Sequence, residues 1–126
     1  MEEHNFLAKN VVDAAFHIHC QLGPGLLESA YEKILIYELL KRKIPAEPQV
    51  LVPIKYDGAI IDLGFRADLV VHNKLIVELK SIEHANDAHK KQLLTYLRLS
   101  GMKLGLLINF GEALIKNGIT RIVNGL

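Results

Sequence analysis

The sequence predicts a single domain of mixed α/β (α+β) class, with helices packed on a mixed sheet of four to five strands. Three observations lead there. Two stretches near the N-terminus carry apolar residues at helical spacing. Later stretches are short, apolar and β-branched, with Gly, Pro, Asp or Asn between them. A third helical stretch precedes the fourth strand, which suits parallel pairing across a helical crossover.

Each element has its own local reason. Residues Phe6 to Leu22 place Leu7, Val11, Ala14, Ala15, Ile18 and Leu22 on one helix face. Gly23-Pro24-Gly25 breaks that helix. A second helix runs from about Leu26 to Lys41, with Leu27, Ala30, Tyr31, Ile34 and Leu35 as its buried stripe. Pro45 and Pro48 mark its exit. Gln49 to Tyr56 reads as a strand, and Pro53 puts it at a sheet edge. Asp57-Gly58 is a hairpin turn between this strand and the next, Ile60 to Val71. Leu75 to Ser81 is the third strand. Asp87 to Ser100 is a helix that Gly101 stops. Lys103 to Phe110 is a buried strand, Gly111 to Gly118 a loop, and Ile119 to Val123 a short last strand.

Composition narrows the function classes. The chain has 126 residues, half of them hydrophobic and 23% charged, so it folds around a core. Net charge is +1, so a nucleic-acid surface would have to be a local patch. The single Cys20 excludes an internal disulfide and a multi-cysteine zinc site. The acidic start lacks a signal-peptide pattern, and no apolar run is long enough to span a bilayer. A soluble cytoplasmic protein is the expectation. Gly-rich phosphate loops, serine-hydrolase elbows, dinucleotide fingerprints and zinc-protease helices are absent from the sequence.

The chemistry centres on the hairpin from Gly64 to Lys80. A three-residue loop, His72-Asn73-Lys74, pairs Val71 with Leu75. Counting back, Asp68 falls opposite Glu78 and Arg66 opposite Lys80. Asp68, Glu78 and Lys80 then share one face with Val70 and Ile76. A two-residue loop would put the carboxylates on opposite faces. Alternate charges on a strand are ordinarily a solvated face. Here the flanking runs are apolar enough to be covered on both sides, where carboxylates need a compensating cation or donor.

Other residues join this set more loosely. Glu28 lies in the first turn of the second helix, where a carboxylate also suits the helix dipole, and Tyr31 follows one turn on. His89, Gln92 and Tyr96 share one face of the third helix, as donors or as an ordinary polar face. His17 and His19 point apart and cannot share a metal. Lys90, Lys91, Arg98 and Lys103 could form a phosphate-backbone patch.

Asp68, then Glu78-Leu79-Lys80, then Gln92-x-x-x-Tyr96 on a helix, resembles the PD-(D/E)XK nuclease superfamily. The Gln-x-x-x-Tyr element is similar to the RecB-type branch. Gly25-x-x-Glu28-x-x-Tyr31 is similar to the signature of the small GxxExxY family within it, as are Leu104 to Phe110 and Gly118 to Arg121. Ala67 stands where the superfamily name has proline.

The resemblance implies an αβββαβ core and metal-dependent hydrolysis of phosphodiester bonds in DNA, or in RNA, within repair, recombination or defence. It implies that Asp68, Glu78 and the Leu79 carbonyl hold Mg²⁺ or Mn²⁺, with Glu28 acting through water or a second ion. Lys80 would orient the attacking water or stabilise the developing charge. Gln92 and Tyr96 would position the nucleophile or a phosphate oxygen. Tyr31, Arg66, His89, Lys90 and Lys91 are the expected nucleic-acid contacts. A homodimer or an accessory protein partner stays open, and no membrane is involved. The competing reading is a non-catalytic nucleic-acid-binding or protein-interaction module on the same fold.

Overall fold

The computed structural model describes residues 2–126, apart from the side chains at 62 and 63. The elements are α1 (Glu2–Leu22), α2 (Glu28–Lys41), β1 (Ala46–Tyr56), β2 (Ala59–Val71), β3 (Leu75–Lys80), α3 (Asp87–Ser100), β4 (Leu104–Asn109) and β5 (Ile119–Val123). The sheet has five strands in the order β1-β2-β3-β4-β5. β3 and β4 run parallel across the α3 crossover, and the other neighbours are antiparallel. This is the expected mixed sheet flanked by helices.

Apolar periodicity decides how the helices dock. Leu7, Val11, Ala14, Ala15 and Ile18 of α1 are buried with Tyr31, Leu35 and Leu39 of α2. They cover Leu69, Val71, Leu75, Val77 and Leu79 from β2 and β3, and Leu104, Leu106 and Ile108 from β4. On the opposite face, Leu93 and Leu97 of α3 meet Val70, Ile76 and Leu107. Ala30, expected in the stripe, is half-buried outside the core cluster, and two further stripe residues lie at the surface. Leu22 and Leu27 are exposed, because both sit at the Gly-Pro-Gly turn where the helices end. α1 also begins earlier than expected, with Glu2 and Glu3 suiting its positive end.

The turns follow their residue types. Asp57 and Gly58 both have positive φ (53° and 77°), the geometry of a tight hairpin turn. Pro53 lies in edge strand β1, at an irregularity in its pairing with β2, where no ladder N–H is needed. Gly101 caps α3 in the left-handed conformation. Asn86 caps its start, accepting from the His89 N–H while the His89 ring accepts from the Asn86 N–H. The stretch expected as an unstructured loop before β5 contains a 3₁₀ turn at Ile115–Gly118. No helix among the described residues is long and apolar enough to cross a membrane.

The β2–β3 ladder is short, and this positions the site. Val71 pairs with Leu75, Val70 with Ile76 and Leu69 with Val77, as the three-residue loop requires. The ladder stops there, while β2 continues to pair with β1. At this point Gln49 of β1 adopts a positive φ of 51°. Side-chain alternation breaks across the same step. Leu69 and Val71 face α1 and α2, yet Ala67 and Phe65 pack on the α3 side with Val50 and Val52. The β1–β2 ribbon therefore turns away from β3 and wraps over α3. Asp68 sits at the fork. The expected pairings of Asp68 with Glu78 and of Arg66 with Lys80 are not formed, because the ladder ends at Leu69 and Val77.

Candidate active site

Where β2 leaves β3, the ladder loses a main-chain partner. The carbonyl of Lys80 points to β4, where it accepts from Phe110 N at 2.8 Å. Main-chain groups alternate along a strand, so those of Leu79 point the other way, into the fork. There the Asp68 carboxylate stands in for the missing strand, and its Oδ2 accepts from Leu79 N at 2.8 Å. The Leu79 carbonyl opens on the same edge as this carboxylate.

Glu78 enters the fork from β3. It is largely shielded from water, and its Oε1 is buried with no hydrogen-bond partner among the described residues. Burial, and next the Asp68 charge, push its carboxyl up from 4.5 to about 9; Lys80 pulls the other way but does not win. Two carboxylates thus meet at one point with too little positive charge to hold both ionised. The donor set comprises two carboxylates and a main-chain carbonyl, all hard oxygens on neighbouring strands, which is what Mg²⁺ or Mn²⁺ takes. The residues fit such an ion.

Tyr96 closes one side. Its ring stacks on Phe65, with centroids 3.7 Å apart and planes within 4°. Its hydroxyl is pushed above the usual tyrosine range by burial and then by the Glu78 charge. Gln92 lies one turn earlier on α3 and is exposed. Lys80, half-buried, ends β3 on the same face as Glu78.

Other expected site residues stand apart or have different work. Glu28 is exposed at the start of α2, and no three His, Cys, Asp or Glu side chains form a metal-holding group among the described residues. The turn just before Glu28 nonetheless meets the strand end, where Ser81 Oγ donates to Leu26 O at 2.5 Å. Tyr31 is not a nucleic-acid contact. It is fully buried and stacks on Phe110 with centroids 4.2 Å apart. Its hydroxyl accepts from Gly25 N and Leu26 N and donates to Gly23 O, so it holds the Gly-Pro-Gly turn in place. The His89 ring spends Nδ1 on the α3 cap. Lys90, Lys91 and Arg66 are exposed, and Arg66 reaches Gln49 O at 3.4 Å. His19, expected only to point away from His17, is buried, with Nε2 2.9 Å from Glu112 O.

One residue escaped the sequence reading. Asn109 ends β4 fully buried, and its Oδ1 accepts from Ile82 N and Gly111 N at 3.1 and 3.0 Å. Its signal was there to see: a lone carboxamide closes an otherwise apolar run, Leu104-Gly105-Leu106-Leu107-Ile108.

Comparisons with curated proteins and with solved structures find no match. A family profile described as the PD-(D/E)XK nuclease superfamily matches residues 5–122. The match takes in both arms of the fork, the α3 helix and the α2 turn, and the chain belongs to the PD-(D/E)XK nuclease superfamily.

Proposed function

We propose that this protein is a Mg²⁺- or Mn²⁺-dependent nuclease that hydrolyses phosphodiester bonds in DNA, of the GxxExxY group and the RecB-type branch. One observation carries the reading: Asp68 and Glu78 converge at the β2–β3 fork, and a buried Glu78 oxygen has no hydrogen-bond partner among the described residues. A structural ion pair has no use for that arrangement, and a divalent cation does. The ion would be held by Asp68, Glu78 and the Leu79 carbonyl. When bound, it supplies Lewis acidity to the scissile phosphate and makes water a better nucleophile at neutral pH.

The chain's own residues do the rest. Lys80, beside Glu78 on the last residue of β3, orients the attacking water and offsets charge building on the phosphate. Tyr96, held rigid by its stack on Phe65, donates its proton to a site oxygen. Gln92, one turn away at the surface, meets the nucleic-acid backbone as it enters. Glu28 acts from the α2 turn through water. Lys90, Lys91 and Arg66 supply exposed positive charge for phosphates, and their contribution weakens with salt.

The test is cleavage of supercoiled and linear DNA with Mg²⁺ or Mn²⁺ by wild type and three single variants. Unaided phosphodiester hydrolysis is slow enough that about 20 kcal/mol of barrier has to be removed. Asp68→Ala and Glu78→Ala are expected to fall to background. Lys80→Ala should lose at least about a hundredfold in rate. All three should keep wild-type circular dichroism. Equal cleavage by all four proteins would reject the site.

A further inference from the structure

Asn109 offers more than an anchor for the chain. A carboxamide has an oxygen with two acceptor positions and a nitrogen with two N–H donors. Two main-chain N–H groups, of Ile82 and Gly111, converge on one atom of Asn109, which identifies that atom as the oxygen. The other atom, Nδ2, is buried and has no partner among the described residues. Buried donors left unmet are rare in native proteins, and the usual explanation is a water or an ion.

The register shows where this amide lies. Lys80 pairs with Asn109 and Glu78 with Leu107 in the parallel β3–β4 ladder. Leu107 packs on the α3 side, and side chains two apart share a face. Asn109 therefore stands on the face of Glu78 and Lys80. An unmet donor on β4 and an unmet acceptor on β3, Glu78 Oε1, occupy one face of adjacent strands, two residues apart in register. Neither atom bonds the other directly, and diagonal positions on adjacent strands are close enough for one water to lie between them.

We propose that Asn109 is a positioning residue of the site, whose amide holds a water against Glu78 while its carbonyl oxygen fixes the chain behind Lys80. The water accepts from Nδ2 and donates to Oε1, so the carboxyl group keeps one orientation. The exit of β3 is clamped at the same time. Phe110 N donates to Lys80 O at 2.8 Å, and Gly111 sits so close that a Cβ there would lie 2.0 Å from Ile82 O. Only the catalytic meaning of this arrangement rests on the nuclease reading.

A high-resolution crystal structure of the metal-free protein is the first arm of the test. It should show one ordered water within hydrogen-bond reach of both Asn109 Nδ2 and Glu78 Oε1. A dry gap, or Nδ2 bonded to a protein carbonyl, overturns the proposal. The second arm is Asn109→Asp, which keeps both accepting contacts and removes the donor. It should retain slow amide exchange at Ile82 and Gly111, whereas Asn109→Ala loses it. Because the new carboxylate faces the cation site, Asn109→Asp should bind Mn²⁺ at least about fivefold more tightly. Where wild type binds Mn²⁺, an unchanged affinity in Asn109→Asp would mean that the side chain only anchors the loop, and would also overturn the proposal. Wild type that shows the water but binds no Mn²⁺ leaves Asn109 where it is placed and removes the nuclease reading instead.

Discussion

On the side of the sheet under α1 and α2, β3 and β4 present Leu75, Val77, Leu79, Leu104, Leu106 and Ile108, all buried. On the side under α3, the same two strands present Ile76 and Leu107 at one end and Glu78, Lys80 and Asn109 at the other. The first face also holds a polar group, the Tyr31 hydroxyl, but every contact that group can make is made within the chain. The second face leaves a carboxylate oxygen and an amide nitrogen without a partner among the described residues. The contrast separates polar groups satisfied within the fold from polar groups that the fold leaves unpaired among the described residues. A tyrosine and a glutamate can both belong to a motif and do these two different things.

Substitutions on the two faces should therefore move stability in opposite directions. Tyr31→Ala removes the stack on Phe110 and leaves two main-chain N–H groups without their acceptor. Urea unfolding should show a loss of about 3–5 kcal/mol, the range for truncating a large buried aromatic. Mn²⁺ affinity of the molecules that remain folded should be unchanged. A loss well under about 1 kcal/mol would mean that the turn is held by something else.

Glu78→Gln tests the other face. The Glu78 carboxyl is raised from 4.5 in the unfolded chain to about 9 in the folded one, so the folded state prefers the proton. Its stabilising share is complete below pH 4.5 and is lost as pH climbs towards 9. Metal-free wild type should thus weaken between pH 5 and pH 8, by on the order of a few kcal/mol. Glu78→Gln should flatten that slope and be the more stable protein at pH 8. Adding Mn²⁺ should stabilise wild type at pH 8 and leave the variant almost unmoved. Parallel melting curves for the two proteins from pH 5 to pH 8 would contradict the buried-carboxylate account.

The smallest effect belongs to neither face. Asn86→Ala removes the α3 cap and should cost about 1 kcal/mol in thermal or urea unfolding. It should leave Mn²⁺ affinity alone. A change in metal affinity would show that the start of α3 is coupled to the fork.

Much of this arrangement was legible in the chain. The odd-length loop at His72-Asn73-Lys74 fixed the register of Val71 with Leu75, which brings Asp68 and Glu78 near each other although the ladder ends one step before they would pair. Pro53 marked the edge strand, and Gly101 the end of α3. What escaped depends on features no period reports. Gln49 is an ordinary strand residue by composition, yet its left-handed backbone accompanies the break in alternation that parts β2 from β3. The part played by Tyr31 escaped because spacing puts it on a helix face without saying that the turn six residues earlier folds back onto its hydroxyl. Asn109 was hidden inside a run read for its hydrophobicity.

The central claim is that one divalent ion sits between Asp68 and Glu78. Calorimetric titration of Mn²⁺ into metal-free wild type and Glu78→Ala tests it most directly, because it needs no substrate. Wild type should show a saturable site, and the variant should bind at least about tenfold more weakly. Two superimposable titrations would mean that these carboxylates hold no metal.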